Sequence, residues 1–166
     1  MRAIARRAAP TLTPFQGETI MDFGIFNIMQ QRDPAKSAKQ VFNEAVEQTI
    51  EAERMGFSRF WYAEHHFSNY SLCPSPLMMA AHMAGSTKKI RLGTAVVVAP
   101  LYNPARLLAE IGMVDILSNG RLDLGIGMGY QQYEFDRFCS TLDNVRSEEH
   151  TSELQSHSFI SYAVFC

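Results

Sequence analysis

Apolar and polar positions along residues 22–127 switch repeatedly between two periods. Residues 22–27, Asp-Phe-Gly-Ile-Phe-Asn, form a short apolar and aromatic run that predicts a strand. A polar turn at 33–36 follows. A helix is then predicted over about 37–55, where Val41, Ala45, Ile50 and Ala52 fall near a 3.6-residue repeat and Gly56 supplies the stop. Residues 58–64 read as a second strand, rich in aromatics. Ser75 and Pro76 then read as N-cap and first helical position. A serine hydroxyl there accepts an early backbone N–H, and proline has none to lose. This second helix carries Leu77, Met78, Ala81 and Met83 and stops at Gly85.

Residues 90–98 give a third strand. Its nearly unbroken Ala95-Val96-Val97-Val98 run is what a strand covered on both faces requires. Asn103 and Pro104 open a third helix with Leu107, Leu108, Ile111, Val114 and Leu117 on its apolar side, and Asn119-Gly120 ends it. Residues 122–126 form a fourth strand that runs into Gly127-Met128-Gly129. The order β-α-β-α-β-α-β with short connections implies parallel strands joined by right-handed crossovers. Two architectures fit: an open doubly wound sheet, or half of an eightfold β/α barrel. The turn after the first strand, Asn27-Ile28-Met29-Gln30-Gln31, lacks the glycines of a dinucleotide fold, which weakens the first of these.

Composition removes several function classes. The chain has 166 residues, with 15 Lys and Arg against 17 Asp and Glu, so it lacks the basic excess of a nucleic-acid binder. With 46% hydrophobic and 19% charged residues it is too apolar to be disordered. No apolar run approaches the ~20 residues that cross a bilayer. Its 3 cysteines make no disulfide framework, which points to a reducing cytosol. The two ends differ from the middle. Residues 1–20 hold Arg2, Arg6, Arg7, Pro10 and Pro14 without apolar periodicity or a signal-peptide core. They are expected to be a flexible extension or an early start. Residues 146–166, RSEEHTSELQSHSFISYAVFC, match the in-frame translation of a common sequencing-library adapter. They are expected to be non-native and are excluded from the site. The organised segment is therefore 21–145.

The most unusual run is Trp61-Tyr62-Ala63-Glu64-His65-His66-Phe67, at the C-terminal end of the second strand. In barrels and open α/β sheets, chemistry gathers at that end. Histidine titrates near neutrality and suits proton transfer. If the strand stays regular, neighbouring side chains point to opposite faces, so His65 and His66 would not share a pocket. Taken alone, the run fits structural hydrogen bonding as well as function. It has none of the spacings of a metal site. Gly125-Ile126-Gly127-Met128-Gly129-Tyr130 reads alone as a glycine-rich turn, and Gly93-Thr94-Ala95-Val96 as strand core. The 9 methionines fall mostly at helical spacing and read as core filler. Cys73 and Cys139 show no redox context.

Together these landmarks resemble the bacterial luciferase-like, flavin-dependent monooxygenase family over about residues 21–138. The resemblance rests on Phe23-Gly24-Ile25-Phe26, Ala63-Glu64-His65-His66-Phe67, Pro76-Leu77 and Arg91-Leu92-Gly93-Thr94-Ala95-Val96. It continues through Pro100, Asn103-Pro104 and Leu117-Ser118-Asn119-Gly120-Arg121-Leu122-Asp123-Leu124-Gly125 to Gly129-Tyr130. It implies an eightfold β/α (TIM) barrel, present here as its N-terminal half of about four β/α units.

The resemblance also implies roles. His65 matches the family's catalytic histidine, His66 would support it, and Glu64 would orient its neighbours. Ala95 and Val96 match a position where the family places a non-proline cis peptide against the flavin ring. Gly127 would meet the flavin, and Phe26 would wall the pocket. Met128 departs from the pattern, since an arginine that helps hold the flavin phosphate is common there. The implied reaction uses reduced flavin mononucleotide, from a separate reductase, and molecular oxygen to oxidise a small organic substrate such as an aldehyde. A homo- or heterodimer is implied for the full-length protein, while the fragment alone is expected to be inactive. Two other readings stay open: a deazaflavin-dependent oxidoreductase on the same barrel, and a non-catalytic relative that binds flavin or a partner.

Overall fold

The computed structural model describes residues 22–138, Ser140 and Tyr162–Val164. The extension expected over 1–20 and most of the tail expected over 146–166 lie outside the described residues. Along the chain come β1 (Gly24–Asn27), α1 (Ala38–Met55), β2 (Arg59–Tyr62), α2 (Pro76–Ser86) and β3 (Arg91–Val98). A single 3-10 turn (Ala99–Leu101), α3 (Pro104–Leu117), β4 (Leu122–Gly127), α4 (Gln132–Arg137) and β5 (Tyr162–Val164) complete the order. Every strand pairing is parallel, and the sheet order is β1-β2-β3-β4-β5. Sequential order without reversal is how a β/α barrel winds, whereas a doubly wound sheet reverses direction at a switch point. The described residues are therefore a barrel segment.

The helices start where the caps were expected. Ser37 accepts the Gln40 N–H through its hydroxyl, and the Gln40 side chain accepts the Ser37 N–H at 2.7 Å, closing a capping box. Gly56 ends α1 at φ 87°, a left-handed conformation that glycine adopts without steric cost. Ser75 and Asn103 accept the N–H groups of Met78 and Arg106 in the same manner. Helix α2 runs one residue beyond Gly85, to Ser86.

Several expected core positions are exposed. The buried stripe of α1 is Val41, Ala45, Thr49 and Ala52, while Ile50 is 44% exposed. Ile50 sits one residue, about 100° of helical rotation, off that stripe. Thr49 can take the buried place because its hydroxyl meets the Ala45 carbonyl and the Tyr62 hydroxyl, each at 2.7 Å. Burial pushes the Tyr62 phenol well above its ordinary range. On α3, Leu107, Ile111 and Val114 are buried, but Leu108 and Leu117 lie mostly in solvent. The methionines split likewise: Met29, Met79 and Met83 are core, whereas Met55, Met78 and Met113 are exposed.

Alternation on the strands separates two faces. Phe60, Tyr62, Leu92, Leu122 and Leu124 belong to the core beneath the helices. The opposite face carries a polar cluster at the N-terminal strand ends. There the Asp123 carboxylate accepts from Arg59 Nε at 3.1 Å and Arg91 Nε at 2.8 Å, while Arg59 also reaches Asp22 at 2.7 Å. Above it the Trp61 indole lies across Gly93. Beyond β4, Tyr162–Val164 pairs as β5, although the sequence reading left residues 146–166 outside the fold. The edge of β4 offers unpaired N–H and C=O groups that an extended apolar segment can take up.

A Cβ added at Gly93 would stand 2.2 Å from the indole. Gly93→Ala is therefore expected to destabilise the chain by about 1–3 kcal/mol, read as a lower urea midpoint with an unchanged m-value. An unchanged midpoint would show that the indole moves aside freely.

Candidate active site

Regular β2 ends at Tyr62, and the chain runs on without regular structure through Ala63–His66 before Phe67, φ 59°. The His65 N–H donates to the Cys73 carbonyl at 3.1 Å, and the Leu72 N–H to the Met29 carbonyl at 3.1 Å. These bonds fold the segment over the C-terminal end of the sheet. Because the strand stops early, alternation no longer separates the two histidines. Both line one cavity of about 320 Å³, together with Ser68, Asn69 and Ser71. The expectation of opposite faces held only for a regular strand.

Two buried carboxylates hold this segment. Glu64, 3% exposed, uses Oε1 to meet His66 Nε2 at 2.9 Å. Its Oε2 accepts the Val98 N–H at 3.0 Å and the Tyr102 hydroxyl at 2.9 Å. Burial first, and the Glu64 charge next, push the Tyr102 phenol above its ordinary range, so it remains a donor. Glu134, 1% exposed, comes from α4. Its Oε1 accepts the His66 N–H at 2.7 Å and faces His65 Nδ1 at 3.2 Å. The His65 ring stands edge-on to Tyr70 at 4.9 Å and to Tyr130 at 6.0 Å between centroids.

Helix α4 fastens the turn from outside. Phe138, just past its end, packs against His66 at 4.7 Å, and the Arg137 guanidinium lies 5.1 Å above Phe67. The Tyr133 hydroxyl reaches Ser68 at 3.3 Å.

The second group of expected residues lies on β3 and β4. The Ala95–Val96 peptide bond is cis. The β3–β4 register shifts between Thr94 and Val97. Ala95, Val96 and Gly127 are all half-buried. A Cβ at Gly127 would stand 2.6 Å from a Val96 methyl, so glycine permits the close approach of the two strands. These residues do not line the histidine cavity. They share its end of the sheet, and Glu64 joins the two groups by holding Val98. Phe26, on β1, is 55% exposed and also lies outside that cavity.

A family model described as luciferase-like monooxygenase matches residues 21–153. The chain belongs to the luciferase-like monooxygenase family. It is 58% identical over 125 residues to the protein y4vJ of Sinorhizobium fredii, covering 75% of this chain and 36% of that one. It is 39% identical over 123 residues to the oxygenase component of flavin-dependent trigonelline monooxygenase from Acinetobacter baylyi, covering 74% and 34%. Among solved structures, monooxygenase RslO1 from Streptomyces bottropensis matches with a TM-score of 0.72 and 34% identity, over 76% of this chain and 39% of that one. The chain thus spans about a third of the length of the curated relatives it matches.

For this luciferase-like chain, sequence reading found Glu64, His65 and His66 but not Glu134 or Tyr102. One available signal was position: the loop following a barrel strand is where site residues accumulate, and Glu134 follows the glycines after β4. Cys73 is buried, its thiol pushed up to about 12 by burial, so it is no nucleophile at neutral pH.

Removing the Glu64 carboxylate would strand three donors: the Val98 N–H, the Tyr102 hydroxyl and the His66 ring. Glu64→Ala is expected to cost about 2–4 kcal/mol of stability by chemical denaturation. A cost below about 0.5 kcal/mol would mean that water replaces the carboxylate without loss.

Proposed function

We propose that this chain is the N-terminal half of a two-component, flavin-dependent monooxygenase in which His65 handles a proton beside reduced flavin mononucleotide. The observation that carries the reading is the His65 ring. It is held by Glu134 and lines a cavity at the C-terminal end of a parallel sheet. The fit to flavin is uneven. Ala95, Val96 and Gly127 offer a partly accessible, uncharged surface of small groups, suited to a flat ring. Met128 brings no cation, and Arg137 is engaged with Phe67 and Tyr133, so the phosphate would be held by residues elsewhere in the full-length protein. Late strands of such barrels often supply that site.

Bound reduced flavin would supply oxygen activation. His65 would move a proton at Nε2, to or from the substrate oxygen. Tyr70 and Tyr130 would keep its ring upright and limit water. Glu64 and His66 would fix the loop rather than touch the substrate. The substrate would be a small organic molecule, an aldehyde being the class the resemblance implies. The printed name of the Acinetobacter relative, an oxygenase component, supports delivery of reduced flavin by a separate reductase. Among the described residues no helix is long and apolar enough to cross a membrane. We place the reaction in the cytoplasm and in the full-length protein, as a homo- or heterodimer, rather than in the 166-residue chain alone.

The test is oxygen uptake by the full-length gene product with reduced flavin mononucleotide and a medium-chain aldehyde. His65→Ala should lower turnover about 100-fold or more with flavin affinity little changed. Full turnover in the variant would remove His65 from the chemistry. Deazaflavin-dependent hydride transfer without oxygen uptake would assign the barrel to the alternative oxidoreductase.

A further inference from the structure

We propose that Glu134 is a positioning residue that fixes the tautomer of His65, placing the ring proton on Nδ1 and leaving Nε2 as a bare acceptor toward the site. Glu134 Oε1 already accepts the backbone N–H of His66 at 2.7 Å, a group that cannot accept in return. That oxygen therefore presents lone pairs to its other neighbours, His65 Nδ1 at 3.2 Å and the Tyr133 hydroxyl, a donor at 3.5 Å. With the carboxylate ionised it can only accept, so Nδ1 carries the hydrogen. Nε2 of His65 makes no hydrogen bond among the described residues.

His66 is the internal contrast. Its Nε2 faces Glu64 Oε1 at 2.9 Å, while Oε2 of the same carboxylate is taken by Val98 and Tyr102. His66 therefore carries its hydrogen on Nε2. Two histidines adjacent in the chain are held in opposite tautomers by two carboxylates from different elements. Only His65 is left with a free lone pair on the distal nitrogen, which is the arrangement a general base needs. Removing either acceptor should disturb one ring and spare the other.

Two contacts of α4 do not involve Glu134: Phe138 on His66 and Arg137 on Phe67 can hold the turn closed without it. The Tyr133 hydroxyl lies between Ser68 at 3.3 Å and Glu134 Oε1 at 3.5 Å. A purely structural Glu134 would therefore leave the His65 tautomer unmoved when its acceptor oxygen is removed. The functional meaning of the tautomer rests on the reading of His65 as the proton-handling group, but its measurement needs neither flavin nor turnover.

The experiment is nitrogen-15 NMR of histidine-labelled 166-residue chain, at a pH where the rings are neutral, with signals assigned by single histidine substitutions. Wild type should show His65 protonated at Nδ1 and His66 at Nε2. Glu134→Gln, which keeps the shape and a carbonyl oxygen for the two donors, should retain Nδ1–H on His65. Glu134→Leu, which keeps the bulk but offers no acceptor, should make it the minor form. His66 should keep its Nε2–H signature in both. If Glu134→Leu unfolds the loop, the His66 signature changes as well, and the wild-type and glutamine tautomers decide. Wild-type His65 protonated at Nε2, or an Nδ1–H share unchanged in Glu134→Leu with His66 intact, would overturn the proposal. Oxygen uptake by the full-length protein judges the His65 reading separately.

Discussion

A carboxylate taken out of water is tolerated only when its lone pairs meet donors. At the end of β2 that constraint applies twice. Glu64 collects donors from β3, from the turn that follows it and from His66. Glu134 collects them from both histidines. Neither side chain can leave its place without stranding its partners. The loop between β2 and α2, which would otherwise be an ordinary surface connection, is therefore tied on two sides. The position of the histidines follows from those ties more than from the strand that leads to them.

The barrel segment divides its labour by end. At the N-terminal strand ends Asp123 gathers Arg59 and Arg91 into an ionic cluster, and Trp61 covers Gly93 above it. These contacts hold the strands together. At the C-terminal ends the glycines of β4, the half-buried Ala95 and Val96 and the histidine loop leave room for a ligand. Parallel strands with helices on one face impose this polarity, because every βα loop emerges at the same end. Membership of the luciferase-like family agrees with a site built there.

Much of this was legible in the chain. The alternation of β and α periods, and the caps at Ser37, Ser75 and Asn103, were local signals, and they located the elements to within a residue or two. Hydrophobicity alone misplaced Met78, Leu108 and Leu117 as well as Ile50, whose place is taken by a threonine that hydrogen-bonds within its own helix. Strand alternation separated His65 from His66, but it ceased to apply where the regular strand stopped at Tyr62. Glu134 was hidden for a different reason. Helix α4 is only 6 residues long, too short to show a period, and its contact with His65 spans 69 positions. Long-range pairing of that kind leaves no mark on a single sequence.

The central claim is that the imidazole of His65 faces a flavin lying across the ends of β3 and β4. A crystal structure of the full-length protein with flavin mononucleotide tests it most directly. The account predicts the ring system within about 4 Å of Ala95, Val96 and Gly127, with His65 Nε2 turned toward it and Nδ1 on Glu134. A flavin bound at another end of the barrel, or a His65 ring facing away from it, would contradict the account.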